Sequence, residues 1–82
     1  MLLTILAPMD EIELDARGLL CPLPVLKARK RLLAMQSGAI LRLLATDPMA
    51  VIDVPNFCRE AGHTLIASEA MDGHHQFRIR RT

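Results

Sequence analysis

The sequence predicts a two-layer α/β (α+β) sandwich in which two helices cover one face of a mixed four-stranded sheet. Three observations support this fold class. An early segment alternates acidic and apolar residues, two later segments have the apolar spacing of helices, and an Asp-Gly pair separates two final strand-like runs. Because one helical segment follows each of the first two strands, the predicted element order is βαβαββ.

The first strand and the first helix follow from two patterns. "EIELDA" is typical of a half-buried strand with Ile12 and Leu14 facing inward. Gly18 then marks a turn, and "PLPVLKARKRLLAMQSG" predicts a helix that Gly38 ends. The apolar positions of this helix share one broad face, which we expect to be buried. They are Val25, Leu26, Ala28, Leu32, Leu33 and Met35.

The charged residues of the first helix divide between two faces. Lys27, Lys30 and Arg31 lie opposite the apolar face and fit either a solvated surface or a docking surface for a partner. Arg29 falls inside the apolar sector. It fits either a side chain that snorkels to water or one that is directed toward a functional site.

The second half of the fold begins with "AILRLLATD", an apolar run typical of a central strand. We predict that Asp47 caps the next helical segment and that Pro48 is its first residue. Because proline disrupts a helix interior, we expect only a short turn from Pro48 to Asp53. A helix should then restart at Pro55 and run to about Ala61.

The end of the chain predicts a hairpin. Gly62 ends the second helix, and "HTLIASEA" has the composition of a third strand. The tight-turn pair Asp72 and Gly73 connects it to "HQFRIRR", which places Phe77 and Ile79 on one face. The last two strands should therefore be antiparallel, whereas the first two, joined by a helix, should be parallel.

Length and composition limit the possible functions. The 82 residues suit one domain, over 10–82, preceded by a tail or short extra strand over 1–9. The apolar start lacks the positive region of a signal peptide and is too short to span a membrane, so we expect no membrane association and a cytoplasmic location. The net charge is +1, with no Tyr or Trp to stack on bases, so we expect no direct nucleic-acid binding. We also expect a monomer.

Metal and disulfide chemistry are not predicted. Cys21 and Cys58 form no CxxC pair, and neither cysteine has a histidine at zinc-finger spacing. Cys58 shares a helical face with Val54 and Phe57, which favours buried packing. A redox pair with Cys21 is the less favoured alternative.

Cys21 is the strongest candidate for chemistry. It lies between the first strand and the first helix, at the sheet edge where open α/β sheets place their functional groups. A helix N-terminus stabilises a thiolate and lowers the pKa of a cysteine. Pro22 favours an extended Cys21 as the cap, although Pro24 leaves open a helix that begins there. An inert structural cap is the alternative.

Three other residues are candidate neighbours of Cys21. Asp47 ends the second strand, which is parallel to the first, so its carboxylate is expected near the thiol. There it would raise the pKa of Cys21 against the helix dipole, or move a proton. Arg17 and Arg29 are candidate cations that would favour the thiolate.

The sequence resembles the TusA family of small bacterial sulfur carriers, also called SirA-like proteins. The resemblance is carried by "LDARGLLCPLPVLKARK", with its Cys-Pro-x-Pro element, and by "ATDPMAVIDVPNFCREAGHTLI". It extends from about Glu11 to Arg80 and covers nearly the whole chain. It also implies the βαβαββ fold reached from the residue patterns.

The resemblance implies a sulfurtransferase that acts as a protein carrier. Cys21 would hold a transient persulfide, with no resident cofactor, and Pro22 and Pro24 would form its scaffold. The sulfur would come from a donor protein such as a cysteine desulfurase and pass to an acceptor protein thiol. In the family this transfer serves tRNA 2-thiouridine formation or related sulfur trafficking. A non-catalytic regulatory or scaffold module is the alternative.

Overall fold

The fold is a four-stranded mixed sheet with two helices packed on one face, as predicted. The computed structural model describes residues 11–82, so the expected tail or strand over 1–9 lies outside the described residues. The elements in chain order are β1 (Glu11–Ala16), α1 (Leu23–Leu33), β2 (Ile40–Ala45), α2 (Ala50–Ala61), β3 (Thr64–Met71) and β4 (His74–Arg80).

The strand order in the sheet is β1-β2-β4-β3. β1 and β2 pair in parallel from Glu11 opposite Ile40 to Ala16 opposite Ala45. β4 is antiparallel to both β2 and β3, with a register shift in β3 between Leu65 and Ala67. The predicted parallel first pair and antiparallel last pair are therefore confirmed.

The apolar side chains of the strands point to the face of the sheet that the two helices cover. Leu41 and Leu43 of β2 lie opposite Ile79 and Phe77 of β4, and all four side chains are fully buried. Both helices contribute buried residues to the same core, including Leu32 and Val54.

The opposite face of the sheet carries ion pairs. Arg42 bridges Glu11 and Glu13, and Arg78 also contacts Glu11.

Helix α1 buries a narrower face than the sequence predicts. Its buried residues are Pro24, Ala28 and Leu32, whereas Leu26 and Leu33 are 49% and 67% exposed. The prediction that those two leucines are buried is wrong, because α1 covers only β1 and β2 and contacts α2 along one side.

Helix α1 also ends earlier than predicted. It stops at Leu33 rather than near Gly38, since the amides of Ala34 and Met35 turn back to carbonyls three residues earlier. The guanidinium of Arg81 also donates to the Leu32 carbonyl, which therefore accepts two hydrogen bonds at this helix end.

Helix α2 corrects two predictions about prolines. It is one continuous helix with Pro55 inside it, and Met49 rather than Asp47 occupies the N-cap position. The expected break at Pro55 is wrong, because the uninterrupted helix buries both Val54 and Cys58 against the core. That burial offsets the single backbone hydrogen bond that the proline removes. The predicted stop at Gly62 is confirmed, with a left-handed φ of 83°.

Substitution of the neighbouring residues Leu32 and Leu33 tests which face of α1 contributes to stability. We expect Leu32→Ala to lower the free energy of unfolding by about 2–5 kcal/mol, because it leaves a cavity under α1. Leu33→Ala should change it by less than about 1 kcal/mol, because the Leu33 side chain already faces water. Chemical denaturation of both variants measures the difference, and equal losses would contradict the observed helix face.

Candidate functional site: the Cys21 loop

The carboxyl ends of β1 and β2 place two loops side by side. Ala16 and Ala45 are paired as the last residues of the parallel strands. The loop after β1 is tied to the loop after β2 by the Gly18 amide, which donates to the Thr46 hydroxyl at 2.8 Å. Gly18 has φ of 84°, in the left-handed region that glycine adopts most easily, so the backbone itself requires glycine at this turn.

Cys21 lies in a tight turn before α1. The Cys21–Pro22 peptide bond is cis, and the Leu23 amide donates to the Leu20 carbonyl at 2.8 Å. The N-cap position of α1 is occupied by Pro22, and the helix begins at Leu23. The prediction that Cys21 caps the helix is therefore wrong, because the turn places it one residue ahead of the cap.

Two carboxylates from the β2–α2 region hold Cys21. The Cys21 amide donates to Asp47 Oδ2 at 2.6 Å, and the Cys21 thiol donates to Asp53 Oδ2 at 2.7 Å. The other oxygen of Asp47 accepts the Met49 amide at 3.0 Å, which fixes the Asp47 carboxylate in the turn before α2. Cys21 is thus anchored at its backbone and at its sulfur by groups from across the loop junction.

The electrostatics of Cys21 differ from the sequence prediction. A helix N-terminus was expected to lower its pKa, but the hydrogen bond to Asp53 raises the pKa of the Cys21 thiol. Desolvation and the negative charges of Asp53 and Asp47 act in the same direction. Cys21 nevertheless remains exposed, so the resting site presents an accessible thiol that is held in its neutral form.

Of the two cations expected beside Cys21, Arg29 lines the cavity next to it, whereas Arg17 pairs with Asp15. The Arg17 guanidinium binds the Asp15 carboxylate at 2.9 Å and holds the pKa of Asp15 at about 2. It is therefore engaged with that carboxylate. Arg29 lines an open cavity of about 290 Å³ that Cys21 also lines. The remaining lining residues are Pro22, Val25, Asp53, Asn56, Phe57 and Glu60.

The basic residues of α1 lie away from this cavity. Lys27, Lys30 and Arg31 are exposed and line a separate shallow depression next to Leu14. None of the three lines the Cys21 cavity.

Cys58 has a different environment from Cys21. It is 2% exposed in the core, and burial raises its pKa to about 11. Both thiols are free. Among residues 11–82, no cluster of His, Cys, Asp or Glu side chains has an arrangement that could bind a metal ion.

Asp53 is the neighbour of Cys21 that the sequence does not predict. Because proline disrupts a helix interior, the sequence predicts a turn at Asp53 ahead of Pro55. In the structure it lies in the first turn of α2, at the sheet edge where Cys21 lies. The signal for it was the second carboxylate in "TDPMAVID", six residues after Asp47.

Comparisons with known proteins identify the family of this chain. Residues 12–81 match the family model described as Sulfurtransferase TusA. The chain is 46% identical over 70 residues to the sulfur carrier protein TusA of Allochromatium vinosum, an alignment that covers 85% of this chain and 92% of that protein. The chain belongs to the TusA family. Its members are sulfur carriers, and the resemblance found in the sequence is confirmed.

A solved structure supports the fold independently. The crystal structure of a SirA-like protein from Desulfitobacterium hafniense superposes with a TM-score of 0.76 at 24% identity. The match covers 84% of this chain and 95% of that one. This likeness supports the βαβαββ fold of the present chain.

In the described part of the chain, neither helix has the length and apolar content needed to cross a bilayer.

Proposed function

We propose that Cys21 receives sulfur as a persulfide from a donor protein, such as a cysteine desulfurase, and passes it to an acceptor protein thiol. The observation that carries this proposal is the position of Cys21. It is an exposed thiol at the carboxyl edge of the sheet in a chain of the TusA family. The persulfide is cargo, held only between two transfers, and the chain uses no resident cofactor.

The transfer balances without an oxidant or a reductant. The Cys21 sulfur attacks the terminal sulfur of a donor persulfide, R–S–SH, and a new S–S bond forms while the donor S–S bond breaks. The electron pair of the broken bond stays on the donor sulfur, which takes the proton that Cys21 gives up. The products are Cys21–S–SH and R–SH, and the second transfer repeats this exchange with an acceptor thiol.

The shape of the site suits exchange between proteins. The cavity next to Cys21 is open and small, and the apolar side chains Leu20 and Leu23 on either side of Cys21 are 69% and 46% exposed. A partner can therefore bring its own cysteine to the sulfur without a lid or a substrate pocket. Gly18, Pro22 and Pro24 act as the scaffold that fixes the loop, and Pro24 is buried under it.

The cellular setting that we propose follows from the thiol chemistry. Two free cysteines suit the cytoplasm, where thiols stay reduced. The free protein would act there as a monomer that exchanges sulfur with its partners. The receiving pathway would be tRNA 2-thiouridine formation or a related sulfur-trafficking route, with no direct contact to the nucleic acid.

A loading experiment separates this proposal from a scaffold role. Purified chain is incubated with cysteine and a cysteine desulfurase, and the mass of one added sulfur is sought by intact mass spectrometry. We expect loading of the wild type and of Cys58→Ser, and none of Cys21→Ser, because only Cys21 is exposed. Undiminished loading of Cys21→Ser would contradict the proposal. Failure of the wild type to load would favour a scaffold, and an internal disulfide would favour a redox role.

The exposed basic residues of α1 are proposed to steer partner docking. Charge reversal of Lys27, Lys30 and Arg31 to Glu should slow sulfur transfer from the desulfurase on the order of tenfold at low salt, because exposed charges act chiefly on association rates. The difference should shrink at high salt as the charges are screened. Arg80→Glu, an exposed position on β4, is the control. Equal transfer rates for the triple variant and the control would overturn this role.

A further inference from the structure

The proposed carrier has two states, the empty Cys21 thiol and the loaded Cys21 persulfide, and the contact between Cys21 and Asp53 differs between them. Asp53 Oδ2 lies 2.7 Å from the sulfur and accepts the thiol proton. Asp47 holds the backbone amide of the same cysteine at 2.6 Å. Asp53 is therefore the group that touches the reacting atom, whereas Asp47 positions the residue that carries it.

Loading removes the proton on which this hydrogen bond depends. In the persulfide, the Cys21 sulfur is bonded to its own Cβ and to the outer sulfur, so it has no proton to donate. An ionised carboxylate is only an acceptor. The contact at Asp53 can thus exist as a hydrogen bond in the empty carrier and not at the same sulfur in the loaded one. An ionised outer sulfur would also be repelled by the negative charges of Asp47 and Asp53.

We propose that Asp53 stabilises the empty carrier relative to the loaded one and thereby drives Cys21 to release its sulfur. This inference rests on the proposed function of Cys21 as a persulfide carrier. A group that binds one of two states more strongly shifts the equilibrium toward that state by the difference in interaction free energy. Asp53 has such a difference, because the sulfur that it contacts carries a proton in the empty state only.

The release step balances in the same way as loading. An acceptor thiol, R′–SH, forms a bond to the outer sulfur of Cys21–S–SH, and the bond between the outer sulfur and the Cys21 sulfur breaks. The electron pair stays on the Cys21 sulfur, and the proton lost by the acceptor thiol ends there. The products are Cys21–SH, whose proton Asp53 again accepts, and R′–S–SH.

Four charged side chains lie around the Cys21 sulfur or hold its backbone. Asp53 and Glu60 of α2 and Arg29 of α1 line the cavity next to Cys21, and Asp47 binds its amide. Since the pKa of the Cys21 thiol is raised, with Asp53 as the largest cause, the carboxylates outweigh the cation in favouring the protonated sulfur. Glu60 lies two helical turns after Asp53 on the same helix and provides a matched control for loss of one negative charge.

The first measurement is an exchange equilibrium. Wild type, Asp53→Asn and Glu60→Gln are each equilibrated with glutathione and glutathione persulfide at pH 7, and the loaded fraction is read by intact mass spectrometry. We expect the exchange constant of Asp53→Asn to shift toward the loaded form by roughly two- to tenfold, because a neutral amide oxygen accepts the thiol proton more weakly than a carboxylate and no longer repels an ionised outer sulfur. Glu60→Gln should stay within about twofold of the wild type.

The second measurement is the pH profile of Cys21 alkylation by iodoacetamide, which requires no persulfide. The thiolate is the reactive form, so the rate rises as pH passes through the pKa of the thiol. Asp53 raises that pKa, and its removal must therefore move the rise to lower pH. Peptide mapping separates Cys21 from Cys58. A purely structural role of Asp53 would leave the profile unchanged.

The outcomes separate the two proposals. If the wild type loads and Asp53→Asn has the wild-type exchange constant, the inference fails and the carrier function stands, even when the pH profile moves. If the wild type takes up no sulfur, both fail. If circular dichroism shows that Asp53→Asn is unfolded, Asp53→Ala replaces it with the same expected shifts, and their absence overturns the inference.

Discussion

The parallel pairing of β1 with β2 is the constraint on which the rest of the site depends. It sets Ala16 beside Ala45, so the two loops that follow these strands leave the sheet at the same edge. The hydrogen bond from Gly18 to Thr46 then joins the loops, and the one from Cys21 to Asp47 fixes the cysteine. A change in this register would move every polar partner of Cys21, because side chains alternate between faces along a strand.

The site combines accessibility with a thiol kept in its neutral form. A cysteine at a helix start would ordinarily gain stabilisation as a thiolate. Here the turn places Cys21 ahead of the helix cap, and the Asp53 carboxylate accepts its proton. Such a thiol is less ionised at neutral pH, while its thiolate is intrinsically the stronger nucleophile. The raised pKa of the thiol and its exposure therefore act together on how Cys21 exchanges with other thiols.

Much of the architecture could be predicted because burial imposes regular patterns. Alternation in β1, the apolar run of β2 and the Asp-Gly turn before β4 each reflect local geometry that a sequence displays directly. The position of Cys21 followed from the same topology, since a residue between a strand and a helix must lie at the sheet edge.

The remaining features depended on tertiary contacts. Whether Pro55 interrupts a helix is decided by the burial of Val54 and Cys58, which local propensity does not contain. Because local propensity starts the helix only at Pro55, the sequence predicts a turn at Asp53 and not its contact with Cys21. Leu33 likewise matches an apolar face by spacing, yet it is exposed because no neighbouring element covers it.

The most direct test of the account is to locate the transferred sulfur on the wild-type chain. After loading from a cysteine desulfurase, the persulfide is alkylated, the chain is digested, and fragment ions are assigned by mass spectrometry. The account predicts that the added sulfur lies on Cys21 and disappears when an acceptor thiol is supplied. Sulfur found on Cys58, or sulfur on Cys21 that no thiol removes, would contradict it.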